Sequence, residues 1–280
     1  MLDIIIDTLI DVLKLIPFLF VVFLLMEYME HKLSKKSNKA IKKAGKFGPI
    51  IGSLLGALPQ CGFGVAATNL FATKIISIGT LIAIYLSTSD EMLAILISNK
   101  VALSFIAYVL IIKIVIAFIC GYIIDLLFSK RFNNQEKIKI FCEEEHCHCE
   151  EGLLKSAIHH TLNIAFFILI FEFILNTSIH YSETGNISKF LMGNSIYGSF
   201  LTSLLGLIPN CASSVIITEL FINGTIKFGS LIGGLLTGSG VSLLVLFKVN
   251  KNLKENITIL VILYLIGSIS GLIINVLGLI

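Results

Sequence analysis

The sequence predicts an all-α polytopic membrane protein made of two inverted-topology repeats, with proline-broken helices, some of which can be re-entrant. Hydrophobic residues make up 56% of the chain and charged residues 14%, whereas a soluble domain carries about 25% charged residues. The mean hydropathy of +0.94 excludes an ordinary soluble domain. Residues 53–89 align on residues 203–239 without a gap, and the lysines are distributed unequally between equivalent loops. The net charge of +3 gives no indication of a nucleic-acid partner.

The repeat carries a helix break in each copy. The first copy reads GALPQCGFGVAATNLF and the second reads GLIPNCASSVIITELF, so each has Pro-x-Cys within an apolar stretch. Proline removes an amide donor and breaks a helix. Broken helices in both halves of a membrane protein are typical of transporters, whose site lies between the halves. Identical pairs at the offset of 150 include Gly56/Gly206, Pro59/Pro209, Cys61/Cys211, Thr68/Thr218, Phe71/Phe221 and Gly79/Gly229.

The loop charges predict that the two halves are inverted in the membrane. Lys32–Lys46, after the first helix, holds seven Lys, whereas its counterpart Asn176–Phe190 holds one. Ser98–Lys100 holds one Lys, whereas its counterpart Lys248–Lys254 holds three. Basic loops remain in the cytoplasm, so each half crosses an odd number of times and both chain termini are expected outside. The alternative is a parallel duplication with scattered charges.

Each half is predicted to contain a first helix, a broken segment, a second interrupted segment and a long helix. Pro49 and Pro59 are ~10 residues apart, or roughly 15 Å of helix, which is half of a membrane core of ~30 Å. We therefore expect the breaks near Pro59 and at Ser87–Glu91 to lie near the midplane. The sequence leaves open which segment crosses and which is re-entrant. The predicted divisions are a first membrane repeat at 1–128, a cytoplasmic loop at 129–157 and a second membrane repeat at 158–280.

Polar residues at the breaks are the candidate substrate ligands. Cys61 and Cys211 lie two residues after the prolines, where a thiolate could bind a soft ion or metalloid. The alternative is that cysteine is a small apolar filler at a helix crossing. Their symmetric placement beside Gln60 and Asn210 favours a site.

Carboxylates make the predicted site asymmetric. The segment Ser87–Glu91 holds two of them and its counterpart holds none, whereas Glu219 replaces Asn69 in the second half. Carboxylates inside a membrane are costly and usually functional. The alternative is that Asp90 and Glu91 cap a helix at a water interface. The predicted substrate-binding set is Gln60, Cys61, Thr68, Ser87, Ser89, Asp90, Glu91, Asn210, Cys211, Thr218 and Glu219.

Three further ionisable residues fall in apolar stretches. Glu27 and Glu172 lie in the first helices of the two halves and could carry protons in an antiporter. Glu27 is close to the basic loop, so solvation at the interface is an equal alternative for it. Lys113 lies in the middle of a long apolar run and needs a carboxylate partner or an anion. Structural pairing of Lys113 with Asp90, Glu91 or Glu172 is favoured.

The cytoplasmic loop, FCEEEHCHCEEG, is rich in metal-binding side chains. Thiolates and imidazoles at this density suit zinc, copper or another thiophilic ion. The tight spacing does not fit a rigid zinc finger, so we expect a flexible capture or sensing loop. The alternative is an acidic linker with incidental cysteines. The predicted metal ligands are Cys142, His146, Cys147, His148 and Cys149.

The motifs PQCGF…LSTSDEM and PNCA.SV..TELF, the CHC loop and the linker NKNLKEN resemble those of the ten-helix heavy-metal exporters. This arsenical-permease-like family includes arsenic efflux proteins and manganese transporters, and the resemblance covers nearly the whole chain. It implies a multi-pass inner-membrane exporter of metal or metalloid ions. The short, histidine-poor loop leaves the role of that loop open. The motif positions are Pro59, Gln60, Cys61, Ser87–Glu91, Pro209, Asn210, Cys211, Thr218 and Glu219.

We therefore expect proton-coupled export of an ion of the arsenic or manganese class. The cysteines favour a soft substrate such as As(III), whereas the carboxylates and amides favour a harder ion such as Mn²⁺. No Walker motif is present, so direct ATP drive is not expected. The expected partners are the ion and membrane lipid, with no cofactor and no enzymatic activity. The alternative is a membrane thiol–disulfide electron carrier using Cys61 and Cys211, whose Cα atoms would have to lie within about 7 Å.

Overall fold

The protein is helical throughout the part of the chain that a computed structural model describes, which confirms the predicted all-α class. Four helical stretches in that part are long and apolar enough to cross a membrane. They are Ile78–Ser98, Leu103–Phe128, Phe228–Val249 and Leu253–Leu277. The structure describes residues 9–10, 12–13, 16–17, 20–21, 24, 47–58, 62–132, 158–159, 161–170, 173, 195–210 and 212–278.

Among the described residues, two sets of five helices stand on either side of a further helical stretch, Thr161–Ile170. The first set is α1 (Gly48–Gly56), α2 (Gly62–Ala72), α3 (Ile78–Ser87), α4 (Asp90–Ser98) and α5 (Leu103–Phe132). The second set is α6 (Ser195–Gly206), α7 (Ala212–Ile222), α8 (Phe228–Thr237), α9 (Ser242–Val249) and α10 (Leu253–Leu277).

The two sets pack alike and exchange contacts reciprocally. Helix α1 packs against α3 and α5, and α6 packs in the same way against α8 and α10. Between the halves, α2 packs against α9 and α7 packs against α4, while α3 meets α8. Such reciprocity is the pattern of a pseudo-two-fold axis. The inversion of the halves relative to a membrane stays a prediction.

The N-terminal ends of α3 and α8 are capped in the same way. The Gly79 amide donates to Asp125 Oδ1 at 2.9 Å, and the Gly229 amide donates to Asn275 Oδ1 at 2.9 Å. In each half the acceptor lies on the following long helix, 46 residues further along the chain. Ser77 Oγ also donates to Asp125 Oδ2 at 2.7 Å. The side chain thus satisfies amides that a helix N-terminus leaves without intrahelical partners.

Small residues fix the direction of α1 relative to α3. A Cβ added at Gly48 would lie 2.1 Å from the Thr80 hydroxyl, and one added at Gly56 would lie 2.2 Å from the Ser87 hydroxyl. Residue numbers therefore rise together along α1 and α3, and the two helices are parallel. Their C-terminal ends lie side by side.

Helices α2 and α3 run in opposite directions. The turn 73–77 joins them directly, and the hydroxyls of Thr68 and Tyr85 bond across the pair. Since α1 is parallel to α3, α1 and α2 form a helical hairpin. At its tip, the connection between α1 and α2, the described residues 57–58 lie beside the end of α3. In a membrane crossed by α3 and α4, this hairpin would enter and leave on one side. The sequence alone did not show which segment crosses the membrane and which is re-entrant.

Helix α5 runs back along α3 and fixes the level of the break between α3 and α4. The Gly121 main chain packs against Gly79, and Lys113 reaches Thr88. Helix α3 has 10 residues and α4 has 9. The break therefore divides the 21-residue stretch Ile78–Ser98 near its middle.

Exposed apolar stripes on α5 and α10 are suited to contact with lipid. The exposed side chains recur at four-residue spacing and occupy equivalent positions in the two halves. Four-residue spacing keeps them on one helix face. They are Ile111, Val115, Ile119 and Ile123 on α5, and Val261, Leu265, Ile269 and Ile273 on α10.

Two equivalent contacts between the halves have different chemistry. At the start of α5, Phe105 stacks on Phe221, with ring centroids 5.6 Å apart. The counterpart of Phe105 at the start of α10 is Glu255, whose Oε2 lies 3.1 Å from Lys74 Nζ. The Lys74 ammonium also lies 5.2 Å from the ring centroid of Phe71, the counterpart of Phe221. One contact is therefore aromatic and the other is ionic.

Candidate functional site

The break between α3 and α4 is a buried run of three hydroxyl residues. The hydroxyl groups of Ser87, Thr88 and Ser89 all donate to main-chain carbonyls within the same segment, at 2.8–2.9 Å. Thr88 has φ −52° and ψ 130°, an extended conformation that ends α3. Beyond the last turn of a helix, carbonyl groups lack intrahelical donors. The hydroxyls therefore organise the break and leave the Thr88 carbonyl to be bonded from another helix.

That carbonyl accepts a hydrogen bond from the Lys113 ammonium of α5. Lys113 is 1% exposed, although its side chain is charged. The C-terminal end of a helix carries a partial negative charge, so a cation is stabilised there. Pairing of Lys113 with Asp90, Glu91 or Glu172 stays a prediction, because those side chains lie outside the described part of the structure. The position equivalent to Lys113 in the second half is the buried Leu263.

Asp90 and Glu91 begin α4 directly after the break. An acidic side chain at a helix N-terminus is favoured by the helix dipole. Their backbone positions place two carboxylate-bearing residues within three residues of the Thr88 carbonyl.

The second-half break, between α8 and α9, is closed by its own backbone. The Ser239 amide donates to the Thr237 carbonyl at 2.8 Å, and the Ser242 amide donates to the Ser239 carbonyl at 3.3 Å. Gly240 has a φ of 55°, in the left-handed region that glycine adopts without strain. The two breaks are thus equivalent in position, but they are completed by different groups.

Thr68 and Tyr85 connect the halves near these breaks. Tyr85 Oη, on α3, donates to the Ser242 carbonyl oxygen of α9 at 3.2 Å. Thr68 Oγ1 lies 2.5 Å from Tyr85 Oη and 2.7 Å from the Gly64 carbonyl oxygen. The predicted ligand Thr68 is therefore part of a buried hydroxyl bridge between the halves. Sequence reasoning did not single out Tyr85, although a lone phenol in the apolar run LIAIYLS was a signal for it.

In the second half, α6 and α7 form the corresponding hairpin, and Asn210 holds the described part of its tip, residues 207–210. Its Oδ1 accepts from the Ala212 amide at 2.7 Å, and its carbonyl accepts from Ser213 Oγ at 2.8 Å. Asn210 is buried and caps the start of α7. Gln60, Cys61 and Cys211, which are the neighbouring predicted ligands at the two tips, lie outside the described residues.

The predicted ligands Thr218 and Glu219 lie on different faces of α7. Thr218 is buried and donates to the Ser214 carbonyl at 2.7 Å. The Glu219 side chain is exposed among the described residues. Its first-half counterpart Asn69 is fully buried, and Asn69 Oδ1 has no hydrogen-bond partner in the part of the protein that is described. At this pair of equivalent positions, the first half therefore has a buried amide side chain, whereas the second half has an exposed carboxylate.

No group of three or more His, Cys, Asp or Glu residues that could hold a metal ion occurs among the described residues. This statement does not extend to the predicted loop cluster at 142–149, or to the predicted proton carriers Glu27 and Glu172. All of these lie outside the described residues.

The chain matches the family described as "Putative, 10TM heavy-metal exporter" over residues 1–172 and 158–279. The chain belongs to this family. The match confirms the resemblance seen in the motifs and supports a multi-pass membrane transporter that exports a heavy metal. The comparison with curated proteins and the comparison with solved structures each give no match.

Proposed function

We propose that this heavy-metal exporter carries a metal or metalloid ion, of the arsenic or manganese class, through a site at the α3–α4 break. The observation that carries the proposal is the Thr88 main-chain carbonyl, which is buried at this break and accepts a bond from a cationic group. Broken helices at membrane depth provide ions with free carbonyls and helix dipoles. Irregular backbone at that depth is tolerated where it is buried in protein or lines a cavity.

The proposed ligands come from the break and from the two hairpin tips. The parallel packing of α1 on α3 brings residues 57–58, at the end of α1, beside the end of α3. Gln60 and Cys61 follow these residues in the sequence, which supports a role for them. In the second half, a Cβ added at Gly206 would lie 2.3 Å from the Thr237 hydroxyl, so the second tip lies beside the end of α8. This supports the corresponding residues of the second tip, Asn210 and Cys211. Asp90 and Glu91 complete the proposed ligand set.

Two further parts of the proposal rest on the sequence. Glu27 and Glu172 are the proposed proton carriers that couple export to the proton gradient, in a cell membrane with both termini outside. The loop segment 142–149 is proposed to capture metal on the cytoplasmic side and deliver it to the membrane site. Dense thiolate and imidazole groups suit capture of a thiophilic ion.

The test is ion uptake into everted membrane vesicles, measured separately with Mn²⁺ and with arsenite. For a thiophilic substrate, Cys61→Ser or Cys211→Ser should remove most of the uptake, because thiolate ligation supplies most of the affinity. For a hard ion, both serine variants should retain uptake and Asp90→Asn should lose it. Glu219→Gln separately tests the exposed carboxylate of α7.

A matched control is Asp125→Asn, which removes a carboxylate from a helix cap where the second half naturally has an amide. This variant should transport like the parent. The site would be misplaced if Cys61→Ser, Cys211→Ser, Asp90→Asn and Glu219→Gln all transported like the parent at equal expression.

A further inference from the structure

The two breaks differ in how their main-chain groups are satisfied. In the second half, backbone amides close the break, as in the bond from the Ser242 amide to the Ser239 carbonyl at 3.3 Å. In the first half, the Lys113 ammonium of α5 donates to the Thr88 carbonyl, whose counterpart in the second half is the carbonyl of Gly238, next to the bonded Ser239. The equivalent of Lys113 is Leu263, which is also buried and cannot donate a hydrogen bond. The lysine is therefore a property of one half and is not required by the shared fold.

Burial of the Lys113 ammonium costs free energy, so this difference between the halves needs a physical explanation. A charged side chain at the centre of a membrane segment is expensive unless it is paired. Lys113 is 1% exposed, and its Nζ reaches the negative end of α3. Asp90 follows the bonded carbonyl by two residues. The end of α3 is thus a place that stabilises positive charge, and the chain supplies one positive charge of its own.

We infer that Lys113 is a tethered competitor for the transported ion, and that the substrate class is a divalent cation. This inference rests on the proposed function, which puts the transport site at the α3–α4 break. An incoming cation that binds the Thr88 carbonyl excludes the ammonium from it. Loading of the site therefore moves the Lys113 ammonium away from the Thr88 carbonyl on its flexible side chain, and the ion takes its place at that carbonyl.

The exchange selects by charge. Coulomb energy scales with the charge of the ion, so a divalent cation gains more from the negative end of α3 than a monovalent ammonium does. Na⁺ and K⁺ carry the same charge as the lysine and gain no such advantage over a group that is covalently attached nearby. A neutral or anionic arsenic species does not displace the ammonium at all. Lys113 thus acts as a filter against the abundant monovalent cations.

The experiment measures Mn²⁺ binding to the purified full-length protein, with and without competing Na⁺ or K⁺. The variants are Lys113→Met, which removes the charge, and Lys113→Gln, whose amide can still donate to the Thr88 carbonyl. Leu263→Met is the matched control at the equivalent position of the second half. Size-exclusion profiles and helicity show whether each variant is folded.

The inference predicts that Lys113→Met and Lys113→Gln bind Mn²⁺ at least about tenfold more tightly than the parent, or ~1.4 kcal/mol. Monovalent cations should compete with Mn²⁺ in both variants and not in the parent, while Leu263→Met should behave like the parent. Because Lys113→Gln retains a donor, it keeps the test informative if Lys113→Met does not fold.

Unchanged or weaker Mn²⁺ binding in the folded Lys113 variants would overturn the inference. Loss of arsenite binding in these variants would also overturn it, because Lys113 would then be an anion ligand. Failure of the proposed function has separate signatures in vesicles. Either the parent itself would transport neither Mn²⁺ nor arsenite, or Cys61→Ser, Cys211→Ser, Asp90→Asn and Glu219→Gln would all transport like the parent.

Discussion

The helix cap at Asp125 gives a quantitative test of the internal repeat. Asp125 accepts hydrogen bonds from the Gly79 amide at 2.9 Å and from Ser77 Oγ at 2.7 Å. Bonds to a charged group contribute about 1.5–3 kcal/mol each, but Asp125 is only partly buried, so water can replace part of this in a truncated variant. The two bonds sum to about 3–6 kcal/mol, and because water replaces part of this we expect Asp125→Ala to lower the free energy of unfolding by about 2–3 kcal/mol, at or just below that range.

Asp125→Asn should cost much less, about 1 kcal/mol or below, because an amide oxygen can still accept from the Gly79 amide. Asn275 makes the equivalent bond to Gly229 at the same distance of 2.9 Å. For the alanine variant the melting temperature should fall by roughly 5–10 °C. The chain has no Trp, so thermal unfolding in detergent is best followed by helical circular dichroism. The reasoning is refuted if the asparagine variant melts as low as the alanine variant, or if the alanine variant melts like the parent.

Two further predictions concern packing and charge. Gly79→Ala should destabilise the protein by about 1–3 kcal/mol, because the added Cβ would lie 2.2 Å from the Gly121 carbonyl oxygen. The same melting assay measures this effect. A parent-like melting temperature would contradict the close approach of the two helices. Lys74→Ala should lower the free energy of unfolding by less than about 1 kcal/mol, since the side chains of Lys74 and Glu255 are 29% and 16% exposed. The difference in stability between this variant and the parent should shrink in 1 M salt, because salt screens the ion pair. A loss that is independent of salt would show that Lys74 acts through packing rather than charge.

The sequence predicted the all-α class and the break at Ser87–Glu91, and the structure shows both. The offset of 150, read from residues 53–89, extends in the structure to pairs outside that window, such as Asp125 and Asn275. Glycine positions carry this information because close helix approach requires the missing side chain. The family resemblance was confirmed by the family match over nearly the whole chain.

The pairing of helices could not be read from the sequence. Apolar periodicity shows that a segment is buried, but it does not show which neighbour lies beside it or in which register. The orientation of the α1–α2 hairpin follows from contacts such as Gly56 with Ser87. The bond from Lys113 to the Thr88 carbonyl depends on the register between α3 and α5. The exposed Glu219 and the buried Asn69 show the same limit, because equivalent positions of a repeat need not have equivalent neighbours.

The unlike contacts between the halves have a consequence for the energetics of transport. If two identical halves were inverted in the membrane, the conformations open to either side would be related by a two-fold rotation and would have equal free energy. Glu255 and Phe105 occupy equivalent positions, and Glu255 pairs with Lys74 whereas Phe105 stacks on Phe221. Separation of the halves at the first contact would break an ion pair, and separation at the second would expose aromatic surface. High ionic strength weakens the ion pair by screening. Cooling weakens the aromatic contact, because hydrophobic association loses strength at low temperature. The resting orientation of an exporter built this way would be set by its surroundings as well as by its cargo.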